Sequence, residues 1–271
     1  MLMLQFVTTN ILINVTMCTN FVSKEIHMKT EAEKRELVRM FQSKINAMQR
    51  LGKISSEAAT DRFAPFSMAF PNHDFPTGAL HEFSSYKAVD AASTGGFIAA
   101  LTSKLTKNDG ICVWVSREKK VFPPGLKQFG LSPEQIIFIT TPIQKEMLWI
   151  IEEALKCESL TAVIGEIKQL TFTESRKLQL AVERSGVTGF IHRFMPSGEN
   201  AVACTARWKI TPLQSTIDDD LPGVGHPYWD IQLLKVKNGK PDSWQIGWQN
   251  GQFQTFSEEN NSISINERHA G

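Results

Sequence analysis

FSSYKAVDAASTGGF, residues 83–97, decides how this chain is read. An apolar strand-like run, 79–83, enters it, and a helix-like run, 97–105, leaves it. A strand, a loop of small residues and a helix N-terminus together make the usual cradle for a phosphate. The sequence that does this work is G-x-x-x-x-G-K-[ST], whose lysine and hydroxyl hold the phosphates and magnesium. Here the expected helix opens Ser93-Thr94-Gly95-Gly96. Counted back from the next strand, Thr94 takes the lysine's place, and Gly95 and Gly96 take those of the hydroxyl and its neighbour. The stretch is either an unrelated turn or a nucleotide site that has lost its chemistry.

Outward from this stretch, apolar runs at 79–83, 111–116, 136–140, 160–165 and 187–193 alternate with helical patterns at 96–105, 123–129, 143–156 and 174–185. Near-continuous apolar strands, each followed by a helix, predict a mainly parallel sheet covered on both faces. The last of these helices is well marked. Thr171 and Glu174 form a capping box, Leu178, Ala181 and Val182 line one face, and Ser185-Gly186 stops it. Beyond it, 203–210 and 229–236 alternate more strictly, and Asn238-Gly239 leads into a third run, 243–248. These predict antiparallel strands extending one edge of the sheet. Between the first two lies an acidic loop, 213–227, with Asp218, Asp219 and Asp220. Residues 55–76, with Pro65, Pro71 and Pro76, read as a loop. No internal repeat is present.

The chain has 271 residues and a net charge of +1, enough for one large core and without a whole-chain signature for polyanions. Cys18, Cys112, Cys157 and Cys204 have no C-x-x-C spacing and read as free thiols of a reducing, cytoplasmic compartment. The histidines show no metal-ligand pairing, so no metal site is expected. Residues 1–27 carry no charge before Lys24, and Asn10, Asn14 and Asn20 interrupt their apolar content. They read as a mis-assigned or disordered extension, with translation starting at Met28, and not as a secretory signal. No stretch reaches the roughly 18 unbroken apolar residues of a membrane span. Residues 28–60 hold an amphipathic helix (28–53) and a linker, and over 28–53 seven Lys/Arg against three Glu leave a charge of +4. The core is placed at 61–256 and a disordered tail at 257–271.

Several segments resemble the RecA-like ATPase core in sequence as well as in order. TGALHEF (77–83) is similar to the strand that enters the recombinase nucleotide loop, and TAVIGEI (161–167) lies where a Walker B strand ends in a carboxylate. NAVACTARWKI (200–210) and LKVKNGK (234–240) are similar to two later strands. In RecA filaments the lysines of the last of these reach a neighbour's nucleotide. A closer resemblance, over about 76–248, is to the ImuA family of mutasome accessory proteins. It rests on TGALHEF, WVSREKKVFPPGLKQFGL (114–131), LWIIEEALKCESLTAVIGEI (148–167), TESRKLQLAVERSG (173–186) and GKPDSW (239–244). The resemblance implies a RecA-like three-layer α/β/α fold, a mainly parallel sheet with antiparallel C-terminal edge strands, and an N-terminal helix. It also implies a non-catalytic adaptor in DNA-damage-induced translesion synthesis. The implied partners are an inactive Y-family polymerase homologue, an error-prone replicative-type polymerase subunit and RecA, with a homo-oligomer as a further option and no membrane contact.

The candidate site residues follow. Ser84, Ser85, Lys87, Ser93, Thr94, Gly95 and Gly96 form a degenerate nucleotide loop, and no bound cofactor is expected beyond residual ATP and magnesium. Lys87 reads as a solvated loop lysine, with reaching back to a phosphate as the alternative. Thr94-Gly95-Gly96 either offer helix-end amides to an anion or allow close helix–sheet packing. Glu166 is the Walker B-like residue and is expected to pair with Lys168 or Arg176, while Glu82 reads as a structural carboxylate. Ser116-Arg117-Glu118 ends its strand at the edge where open α/β sheets hold ligands. The segments after 167 and after 194 are too short for the DNA-holding loops of active recombinases. DNA contact is therefore expected to be weak or indirect, through Lys235, Lys237 and Lys240 with the basic arm, although such lysines on an edge strand also guard against aggregation. Trp208, Trp229, Trp244 and Trp248 read as core, with an interface role as the alternative. Two further functions remain open at this point: a divergent nucleotide switch or weak ATPase, and an SOS-induced cell-division inhibitor.

Overall fold

A computed structural model describes residues 62–106, 110–198, 200–215 and 225–255, all within the compact unit Asn46–Gly271. The expectations for 1–27, 28–60 and 257–271, and for Asp218, Asp219 and Asp220, lie outside the described residues. Nine strands form one sheet: β1 Leu80–Ser85, β2 Cys112–Ser116, β3 Ile136–Thr140, β4 Ala162–Ile167, β5 Thr188–Phe194, β6 Ala206–Pro212, β7 Tyr228–Val236, β8 Asp242–Gln249 and β9 Gln252–Thr255. Their order across the sheet is β3-β2-β4-β5-β1-β6-β7-β8-β9. Three α-helices join the parallel strands: α1 Ala88–Thr106, α2 Gln144–Leu155 and α3 Phe172–Ser185. Pro123–Phe129, expected as a helix, is a 3-10 turn. The arrangement is a three-layer α/β/α sandwich, mainly parallel with an antiparallel extension.

One correction concerns β6. Its alternating pattern suggested an antiparallel strand, yet it pairs parallel with β1 and antiparallel only with β7. Alternation reports one buried face and says nothing about direction. The antiparallel part is therefore β7, β8 and β9. β7 has a hydrogen-bonded neighbour on each side, so Lys235 does not stand on an edge strand.

Two apolar layers cover the sheet. On one face Val113, Val115, Val163, Leu80 and Ile191 pack against Met147, Ile151 and Leu155 of α2 and Leu178, Ala181 and Val182 of α3. The expected capping box of α3 is present: Glu174 N–H donates to Thr171 Oγ1 (3.2 Å) and Thr171 N–H to Glu174 Oε2 (2.8 Å). Gly186 ends the helix at φ 76°, where a side chain would be strained.

The other face is aromatic. Phe83, Phe190, Trp114 and Trp208 meet Phe97 of α1 and the segment 62–76. That segment, expected to be a loop, forms two short 3-10 turns and delivers Phe63, Phe66, Phe70 and Phe75 into the core. Trp208 is fully buried among them, stacked on Phe83 (centroids 6.2 Å apart), and its Nε1–H donates to His81 Nδ1 (3.3 Å). Trp229 and Trp248 are also core, and Trp244 is partly buried against it. No helix among the described residues is long and apolar enough to cross a membrane.

Candidate functional site

The parallel strands β1, β2, β4 and β5 all end at one edge of the sheet, where an open α/β fold holds its ligands. At this edge only Tyr86 and Lys87 separate β1 from α1. Ala91 N–H donates to Lys87 O (3.0 Å), and Lys87 N–H donates back to Asp90 Oδ2 (3.3 Å). Lys87 is thus the N-cap and Asp90 the third helical residue, half of a capping box. Ala88, Ala91 and Ala92, the residue type of highest helix propensity, propagate the helix from there.

The seven residues expected to make a nucleotide loop therefore do not make one. Ser84 and Ser85 end the strand, Lys87 caps the helix with its side chain exposed, and Ser93, Thr94, Gly95 and Gly96 lie inside α1. Backbone amides inside an α-helix are taken by carbonyls four residues back, so Thr94-Gly95-Gly96 present no helix-end amides to an anion. Close packing is what Gly96 serves: a Cβ there would sit 2.7 Å from Phe129 Cζ. A Cβ at Gly95 would meet only open space.

The position of the missing lysine is filled by protein. Thr94 is fully buried, with its Oγ1 2.8 Å from Ser85 Oγ, which is itself 2.9 Å from Nε2 of His192 on β5. His192 pairs in register with Glu166 on β4. Glu166 Oε1 accepts a hydrogen bond from Trp114 Nε1 on β2 (2.8 Å). Lys168 and Arg176, the expected partners of Glu166, are replaced in that role by an indole from two strands away in sequence. Burial raises the Glu166 carboxyl above its ordinary range, while the Trp114 hydrogen bond and the charge of Lys120 oppose this. The result is a row of polar groups from β2 to α1 on the aromatic face, closed by its own side chains.

Glu82, on the opposite face of β1, is the structural carboxylate expected. It is 1 % exposed and accepts from Arg193 Nη1 (2.8 Å) and Arg207 Nε (2.7 Å). Lys235, Lys237 and Lys240 are exposed but lie at the other end of the strands. Lys237 N–H donates to Thr205 O and Lys240 N–H to Ala69 O (2.8 and 3.0 Å), which pins the β7–β8 turn beside the start of β1 and β6. The structure thus separates these lysines from Glu166 and the β1–α1 junction. The segment after β5 is tied down by Met195 N–H to Ser85 O, Asn200 Nδ2 to Leu170 O and Ala203 N–H to Ser175 Oγ. Among the described residues no group of three or more His, Cys, Asp or Glu is placed to hold a metal ion.

Two buried histidines are expected to make stability depend on pH. Burial lowers His192 and His81 to about 4 from about 6.5. The unfolded chain takes up protons that the folded one refuses, so their contribution is fully present above pH 6.5 and is lost as pH falls toward 4. Glu166, raised by burial, acts in the opposite sense near its own range. Urea unfolding between pH 7 and 4.5 is expected to show stability falling with a slope approaching two protons per molecule. His192→Asn, which keeps a partner for Ser85, should halve that slope; an unchanged slope would place the titration elsewhere.

Comparison with known proteins adds the following. No family model matches the chain. Protein ImuA of Caulobacter vibrioides, from two strains, is 30% identical over 187 residues, covering 65% of this chain and 77% of the relative. Among solved structures, the RadB recombinase superposes with a TM-score of 0.47 at 13% identity, covering 68% of this chain and 93% of that one. SulA from Pseudomonas aeruginosa superposes with a TM-score of 0.37 at 15% identity, covering 42% and 97%.

Proposed function

This chain belongs to the ImuA family, and from that premise we propose that it is a non-catalytic accessory protein of a DNA-damage-induced translesion synthesis complex in the cytoplasm. The observation that supports this most is the β1–α1 junction. Phosphoryl transfer depends on positioned charge around the β- and γ-phosphates. Here the lysine position is a buried threonine bonded to Ser85, and helix begins where a phosphate-wrapping loop would have to open. A nucleotide would need the first turns of α1 to unwind before it met the backbone amides of Thr94, Gly95 and Gly96. The work of such a domain is to hold partners together: a catalytically inactive Y-family polymerase homologue, an error-prone replicative-type polymerase subunit and RecA, with DNA reached through them.

Two measurements on the full chain test this reading. Titration calorimetry with ATP and magnesium is expected to show no saturable binding below millimolar concentration, and co-purification from DNA-damaged cells to recover the Y-family homologue. Micromolar nucleotide binding, with turnover abolished by Glu166→Ala, would sink the non-catalytic role. Recovery of neither polymerase would sink the adaptor role.

A further inference from the structure

Each connection leaving the parallel strands β1 to β5 shows a large apolar side chain to solvent where the strands end. These are Tyr86 after β1, Phe122 after β2, Ile143 after β3, Phe172 after β4 and Met195 after β5, all between 40% and 72% exposed. The five strands are consecutive in the sheet, so at about 4.8 Å per strand their ends span about 19 Å. That is the reach of about six residues of extended chain.

Hydrogen bonds hold these connections in place. Thr141 N–H donates to Ser116 O (3.2 Å), Gln144 Nε2 to Gln169 O (3.0 Å) and Met195 N–H to Ser85 O (2.8 Å). Met195 stands at φ 48°, in the left-handed region that favours glycine. Backbone strain of this kind clusters where ligands are held.

The same connections are basic. Over 86–87, 117–122, 141–143, 168–171 and 195–198 the charged residues are Lys87, Arg117, Lys119, Lys120 and Lys168 against one carboxylate, Glu118, and all six are exposed. Lys120 pairs with Glu118 (3.2 Å), and its charge is felt at Glu166, which brings this segment to the end of β4. The carboxylates behind this surface are engaged by the chain itself. Asp90 accepts from Lys87 N–H, Glu146 from Thr141 Oγ1, Glu166 from Trp114 Nε1 and Glu174 from Thr171 N–H.

We propose that this edge is the docking surface for a partner peptide in which carboxylates alternate with large apolar side chains. Charge complementarity selects that occupant: the face supplies cations beside apolar anchors and lacks acids. A second copy meeting it through the same face would set like charges against each other. Single-stranded nucleic acid would match the charge, but Ile143 and Met195 offer no ring for a base to stack on. The inference deepens the adaptor role proposed above, and the identity of the partner rests on that reading.

The test uses the full chain and three probes: a fluorescein-labelled peptide DLFDDLF, its counterpart KLFKKLF, and oligothymidylate. Fluorescence anisotropy at low ionic strength is expected to show micromolar binding of DLFDDLF and none of KLFKKLF. Arg117→Glu/Lys168→Glu should weaken the acidic peptide at least tenfold, and Phe122→Ala several-fold. Lys156→Glu/Arg184→Glu, at the far ends of α2 and α3, should bind it as the wild type does. Circular dichroism verifies that each variant folds. No binding of DLFDDLF at millimolar concentration, equal binding of KLFKKLF, or unchanged affinity in Arg117→Glu/Lys168→Glu would overturn the proposal. Displacement of the peptide by oligothymidylate would overturn it in favour of nucleic acid. Peptide binding does not depend on co-purification, so the two readings fail separately. A chain that binds DLFDDLF but recovers neither polymerase keeps this surface and loses the adaptor role.

Discussion

Glu82→Ala is expected to lower the unfolding free energy by about 3–5 kcal/mol, the range for breaking a buried ion pair from one side. Glu82 and Arg193 are each 1 % exposed. Among the described residues, Arg193 Nε and Nη2 find no acceptor, so Glu82 Oε1 is the one carboxylate oxygen it meets. Glu82 Oε2 serves Arg207 Nε (2.7 Å) and lies 3.7 Å from Cys204 Sγ. Removing the carboxylate leaves a guanidinium sealed in the sheet with its charge uncompensated. Glu82→Gln, which keeps an acceptor but not the charge, should cost less than the alanine change. Arg207, 15 % exposed in its side chain, can turn to water and should be the most tolerant position of the three. Urea unfolding followed by tryptophan fluorescence measures all of these. A loss under about 1 kcal/mol for Glu82→Ala would mean that water reaches the cluster.

Trp208→Ala is expected to cost a similar amount, about 3–5 kcal/mol, for a different reason. The indole is fully buried and lies within ring-contact range of Phe66, Phe70, Phe75, Phe83 and Phe97. Alanine leaves a cavity that no single neighbour can fill, because the surrounding rings are held by several elements. It also removes the donor to His81 Nδ1, while His81 keeps its Nε2–H bond to Pro76 O (2.8 Å). Trp208→Phe, which keeps most of the volume, should recover more than half of the loss. Thermal unfolding at neutral pH reads the difference, and equal melting of the alanine and wild-type proteins would contradict the packing described.

The parallel half of the sheet was legible because its strands are continuous apolar runs and α3 announces both its ends. The β1–α1 junction was not. Ser93-Thr94-Gly95-Gly96 has the composition of a loop, and the contact that allows Gly96 inside a helix comes from Phe129, beyond the next strand. A local signal did exist: Asp90 three residues after Lys87, followed by two alanines, is a helix start. Residues 62–76 were opaque for a related reason. Prolines and the absence of a period mark them as irregular, and irregular backbone with four phenylalanines has no regular element to betray its burial. Glu82 could be recognised as structural from its place in an apolar strand. Its partners could not, because Arg193 and Arg207 belong to strands on either side of β1 in space but far from it in sequence. β9 passed unnoticed, being four residues with one apolar side chain.

The aromatic segment also sets an order of events during synthesis. Phe66 emerges from the ribosome before any strand of the sheet, yet it rests against Trp208 of β6, Trp244 of β8 and Phe253 of β9. Its docking site is complete only once β9 has also been made. Until then Phe63, Phe66, Phe70 and Phe75 trail the nascent chain as unsheltered greasy surface, the kind that chaperones recognise. Contacts of such long sequence separation form late and slowly. A chain that stops before β9 would lose the lid over its first core residues as well as its last strand.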